Sequence, residues 1–159
     1  KIINMKKLAA IIGFLVLLTT TIYSQENQVK EDYYFTKTIK GNFDEITVKV
    51  KEAFKVQGFG VITEINMKEK LSEKLENVDM KPYRILGVCN PKFAYETIQA
   101  EENIGLFLPC KVIIKQIDES TSEVVAVNPS ALMKMLGNAE LIEIADKVSD
   151  KFKQALKEL

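Results

Sequence analysis

Two cysteines carry most of the reactive chemistry in this sequence of 159 residues. Cys89 stands two residues before Pro91 and Cys110 directly follows Pro109, each beside a predicted strand end. If those ends are neighbours in a sheet, the thiols come within reach, because a disulfide needs Cα atoms about 4.4 to 6.8 Å apart. Three readings stay open. The thiols are buried and inert, as free Cys commonly is; or they form a structural disulfide, worth roughly 3 kcal/mol for a loop of moderate length; or they are a functional thiol or ligand-binding pair. The helix predicted after Asn90 favours reactivity at Cys89, since a thiol just ahead of a helix start feels the positive end of its dipole.

Arg84 is the only Arg beside 21 Lys. A single planar, bidentate donor inside a strand points to a carboxylate or an anionic ligand, and a surface ion pair is the plainer alternative. Glu64, read on the face opposite Phe59, Val61 and Ile65, is the expected partner if the second and third strands are neighbours. Tyr83, Tyr95 and Asn90 are candidates to line a pocket near Cys89, although buried aromatic residues more often fill a core. The chain has no His, which excludes a His-based triad, a facial-triad iron site and a histidine zinc site; two Cys alone cannot close a thiolate zinc site. No metal and no cofactor is therefore expected, and any base serving a thiol would be Glu, Lys or Tyr.

The N-terminus reads as an export signal. Met5 is followed by Lys6 and Lys7, then by an apolar run from Leu8 to Leu18 that is shorter than the about 20 residues of a membrane span. Residues 1–24 are read as leader and signal peptide with cleavage after Ser24, residues 25–32 as a flexible lead-in, and 33–159 as a single domain. Removing Lys1, Lys6 and Lys7 turns 22 basic against 22 acidic side chains into 19 against 22, a net charge of −3 over 135 residues. No basic patch appears, so nucleic acid is not an expected partner. No membrane attachment is expected after cleavage.

The elements that must hold these residues follow from periodicity. Strands are predicted over Tyr33–Lys40, Phe59–Ile65, Tyr83–Cys89, Gly105–Gln116 and Glu123–Val127, the fourth interrupted by Pro109 as a bulge or edge. Asn42 and Glu45 form a capping pair for a helix whose buried face is Phe43, Ile46, Val50, Ala53 and Phe54. A short helix is read over Met67–Leu75. Asn90-Pro91 and Asn128-Pro129 each launch another, because Asn caps well and Pro suits the first turn; the first runs to Glu102, where the charged pair Glu101-Glu102 reads as a solvated helix end. Leu141, Ile144, Ala145, Val148, Phe152, Ala155, Leu156 and Leu159 share one face of a long last helix. This order argues α+β: an antiparallel or mixed five-stranded sheet with helices packed on one face.

Several of these segments also match a known family. Gly58 to Ile65, Pro82 to Pro91, Ala100-Glu101 with Ile104 to Cys110, and Val127-Asn128-Pro129 resemble the DUF302 family, with both Cys motifs at family spacing. The resemblance covers nearly everything from Tyr34 onward. It implies a TBP-like β-α-β(4)-α fold, a long C-terminal helix and a homodimer, and it implies no established activity. Family members are commonly cytoplasmic, whereas this chain carries a leader; an exported, periplasmic or secreted domain is expected. The functional expectation is a small-ligand-binding or interaction module whose Cys89/Arg84 region takes a small anionic or sulfur-containing molecule. The alternative is a thiol-dependent enzyme or sulfur carrier with Cys89 as nucleophile and Cys110 as resolving partner.

Overall fold

The computed structural model describes residues 33–159; the expected leader, cleavage point and lead-in lie outside the described residues. Five strands, β1 (Tyr34–Lys40), β2 (Gly60–Asn66), β3 (Tyr83–Cys89), β4 (Cys110–Asp118) and β5 (Thr121–Val127), form one sheet. Its order is β1-β5-β4-β3-β2, and all four pairings are antiparallel. The helices are α1 (Phe43–Val56), α2 (Met67–Ser72), α3 (Pro91–Ala100), α4 (Pro129–Lys134) and α5 (Ala139–Lys157), with a 3₁₀ segment at Glu102–Phe107. Among the described residues, no helix is long and apolar enough to cross a membrane.

The helices α1 and α5 form because their apolar residues recur at helical spacing, and both lay that stripe on the same side of the sheet. Ile46, Val50 and Phe54 from α1 and Phe152, Ala155 and Leu156 from α5 meet Leu86, Val88, Val112, Ile114, Val124 and Ala126 in one buried core. Phe152 is its hinge point, edge-on to Phe54 and to Phe59 with ring centroids 5.0 Å away in each case. Asn42 starts α1 as expected, accepting from Asp44 N–H at 2.9 Å, and Asn138, which the sequence did not single out, caps α5 by accepting from Glu140 and Leu141 N–H. A buried hydroxyl pair joins α4 to α5, where Ser149 accepts from the Ser130 amide at 3.0 Å and bonds Asn128 Oδ1 at 3.1 Å.

Three sequence expectations change. The stretch Gly105–Gln116 is not one strand: the 3₁₀ turn runs to Phe107, a cis peptide bond joins Leu108 to Pro109, and β4 starts only at Cys110. Proline lacks the donor that a ladder needs, so pairing begins after it. Glu101 is more than a solvated helix end: it closes α3, and its carboxylate also accepts from Asn103 N–H at 3.0 Å and so caps the 3₁₀ turn. The regular alternation Phe59, Val61, Thr63, Ile65 also fails. Val61 pairs with Val88 and Thr63 with Gly87, leaving Ile62 as the extra residue of a β-bulge. Beyond it the faces exchange, so Glu64 sits opposite the core residue Leu86 and shares the helix-covered face with Val61.

Candidate functional site

The bulge decides where the charged candidates go. With Glu64 turned under α1, Lys51 reaches it at 2.6 Å and Arg84 Nε lies 3.4 Å from its other oxygen. The Arg84 guanidinium also meets Asp44 at 3.3 Å and lies over the Phe43 ring, 5.2 Å from its centroid. Two cations and two carboxylates balance, and the guanidinium is largely enclosed by them. This cluster ties the start of α1 to the β2–β3 edge. Arg84 and Cys89 are five residues apart on one strand, about 16 Å at strand rise. The expected joint Cys89/Arg84 pocket is therefore not assembled: Arg84 and Glu64 belong to an ion-pair cluster at the far end of β3. Tyr83 lies elsewhere again, in a shallow depression on the uncovered sheet face with Tyr34, Ile113, Lys115, Glu123 and Val125.

Cys89, Asn90 and Cys110 do come together, at the other end of β3. They line a cavity of about 260 Å³ between the sheet end and the helix layer. Its floor is Val88, Cys89 and Cys110; its walls are Phe93, Ala94 and Thr97 from α3, Ile104, Leu106 and Phe107 from the 3₁₀ turn with Leu108 just after it, Leu132 and Met133 from α4, and Ile144, Ala145 and Val148 from α5. Phe59 closes the inner side, stacked on Phe93 at 6.3 Å. Tyr95, a sequence candidate for this lining, points outward at 66% exposure; its neighbour Phe93 takes the inward position.

Two backbone devices hold the thiol end in place. Asn90 Oδ1 accepts from Lys92 and Phe93 N–H, starting α3, while its Nδ2 donates to Gly58 O at 2.8 Å and fastens that helix start to the α1–β2 corner. Gly87 leaves room for Pro109: a Cβ at position 87 would lie 2.6 Å from Pro109 Cγ and 2.1 Å from Thr63 Oγ1. Pro109 thus packs flat on β3 and delivers Cys110 to its register opposite Val88.

Both cysteines are free thiols. Burial raises the Cys89 pKa above its ordinary value. Cys110 lies deeper, and its pKa is pushed up to about 11, first by burial and then by the charge that Cys89 would carry; Lys111 pulls weakly the other way. At both sulfurs loss of water favours the protonated thiol. Among the polar side chains of the lining, Asn90 is committed to its cap, the Thr97 hydroxyl to the carbonyls of Phe93 and Ala94, and Lys111 Nζ donates to Pro109 O at 2.7 Å. What faces the interior is hydrocarbon and sulfur.

Sequence reading named the cysteines and Asn90 but missed the residues that make the cavity: Phe93, the 3₁₀ residue Ile104, Leu108 just after that turn, and Met133. Phe93 was legible in principle, being three residues into a helix capped by Asn90. The 3₁₀ turn was not, since Ile104 to Leu108 reads equally well as strand.

The chain has relatives. The sequence profile of DUF302, a domain of unknown function, matches residues 35–159. The crystal structure of an uncharacterized conserved DUF302 protein from Bacillus stearothermophilus is similar, with a TM-score of 0.73 and 28% sequence identity. The match covers 79% of this chain and 97% of that one. No curated protein matches. A matching profile that starts in β1 and runs through α5, over a sheet and helix layer shared with a solved member, settles the classification: the chain belongs to the DUF302 family.

Proposed function

We propose that the domain is a binding module for a small, largely apolar molecule held in the cavity behind Cys89 and Cys110. One observation carries this reading: the cavity is lined by hydrocarbon and sulfur, and the polar side chains that reach it are committed to the protein's own backbone. A polar ligand group buried there would lose its water without a partner, at a cost of roughly 1–3 kcal/mol. An apolar one gains about 25 cal/mol for each Å² removed from water. The volume sits near the lower end of ligand sites, about 300 Å³ and upward, so the occupant is small. Leu106 at the rim, 87% exposed, gives the entrance an apolar lip.

The test is titration with the neutral dye N-phenyl-1-naphthylamine, alongside native mass spectrometry for co-purifying small molecules. Dye fluorescence should rise saturably and vanish in Ala94→Phe, which fills the cavity from α3. A dye signal absent from the wild type, or unchanged in the filled variant, sinks the reading.

A second reading, thiol chemistry at Cys89 with Cys110 as partner, draws on the two thiols reaching one cavity. Alkylation near neutral pH discriminates: labelling of native, reduced Cys89 faster than free cysteine would promote it, and no labelling ends it. Export is likewise a proposal. It rests on the Lys6-Lys7 and Leu8–Leu18 pattern, and N-terminal sequencing of the protein from its native cells should begin at Gln25.

A further inference from the structure

We propose that Cys89 and Cys110 together form a two-thiolate site for a soft monovalent cation of the copper(I) type. The register brings them side by side. Cys110 is the first residue of β4 and lies opposite Val88, so Cys89, the last residue of β3, is its diagonal neighbour. With strands about 4.8 Å apart and a rise of about 3.3 Å, their Cα atoms are about 6 Å apart. Residues one step out of register ordinarily point to opposite faces. Here Cys89 is the last residue of β3, where the chain turns into the Asn90 cap, and both residues line the same cavity, close enough for a charge on Cys89 to act on Cys110.

The donor set selects the ion. Among the described residues there is no group of three or more His, Cys, Asp or Glu able to hold a metal, and the protein contains no His. Zinc, needing three or four protein ligands, is thereby disfavoured. Two thiolates suffice for a d¹⁰ monovalent ion, which accepts linear coordination and prefers sulfur. The surroundings match: the side-chain oxygens of the lining, on Asn90 and Thr97, are committed to the backbone, and the Met133 thioether is a further soft group there. Lys111, adjacent to Cys110 and also in the lining, supplies a positive charge against the net −1 of two thiolates and one cation. The start of the ten-residue α3, two residues past Cys89, adds its dipole in the same sense.

Binding balances simply. Two S–H bonds break, two sulfur–metal bonds form, two protons leave to solvent, and neither metal nor sulfur changes oxidation state. The site needs no apolar occupant and goes beyond the binding reading above; the dye and the metal titrations fail independently.

The experiment is an anaerobic titration of the reduced full chain against the copper(I)–bicinchoninate complex, followed by its absorbance. One equivalent per chain should be withdrawn, and the same equivalent should protect both Cys89 and Cys110 from iodoacetamide. Cys89→Ser and Cys110→Ala should each weaken binding more than about 100-fold, beyond what loss of a merely supporting contact costs. Zinc(II) in excess should not compete. Circular dichroism reports whether the variants fold, and the protection measured on the wild type decides the matter without them. Failure of the wild type to withdraw copper overturns the proposal. So does withdrawal that leaves both thiols open to alkylation, or that persists in a folded double variant.

Discussion

Burial governs the chemistry of Cys110 more than any neighbouring charge does. Its folded-state pKa of about 11 stands above the unfolded value of 9.0, so the folded form holds its proton more tightly. The resulting stability is fully present below pH 9 and is lost as pH rises through 11. We expect the urea midpoint of the wild type to fall more steeply between pH 9 and 11 than that of Cys110→Val, with the two curves parallel at lower pH. Equal slopes across that window would show the thiol to be wetter than the structure has it. At this scale the sequence was partly legible. The cysteines could be singled out by their prolines and Arg84 by its rarity, and the Arg84–Glu64 pairing was foreseen. Asp44 and Phe43, which complete the Arg84 environment, come from a helix that no local pattern places beside β3.

Elements matter through the points where one lets another approach. Gly87 is such a point: its missing side chain is filled by Pro109 from the adjoining strand entry, with Thr63 on the other side. Gly87→Ala must push Pro109 outward and Thr63 aside, which overpacks a tight contact at about 1–3 kcal/mol. A lowered urea midpoint at unchanged slope, with faster alkylation of Cys110, is the expected result; unchanged stability would refute the close approach. The two Asn-Pro helix starts were readable because capping is chemistry local to four residues. The 3₁₀ turn and the bulge were not. Each is selected by what packs across from it, Pro109 against Gly87 in one case and Val88 and Gly87 against β2 in the other, and period-2 patterning carries no record of such partners.

The described residues form a single sheet with its helix layer on one side, and the cavity arises where that layer thins over the ends of β3 and β4. Phe54, Phe59, Phe93 and Phe152 run as a connected aromatic series from α1 across α5 to the cavity wall. Phe152, fully buried, joins the two halves of that series. Phe152→Ala should cost about 3–5 kcal/mol and raise dye or solvent access to the cavity as well, since Phe59 and then Phe93 lose their backing. Denaturant unfolding together with dye titration checks both parts; a loss of stability that leaves the cavity untouched would separate core from site. Fold class was legible at this level because element order and spacing limit how helices can cover a sheet. The cavity was not, being a gap among α3, the 3₁₀ turn, α4, α5 and the ends of β3 and β4, which local patterning does not bring together.

The bulge at Ile62 has a consequence for how this strand tolerates changes in its length. Ile62 is one residue more than the pairing needs and is largely exposed, so removing it would make Val61 and Thr63 ordinary neighbours and preserve every partner from Gly60 to Asn66. Removing Ile65 instead would carry Asn66 to the opposite side of the sheet, away from the helix α2 that it caps. Of two single-residue deletions three positions apart, the first should leave cooperative unfolding intact and the second should not. Strand β2 carries a spare count, and parity, more than hydrophobicity, determines which of its residues the protein can do without.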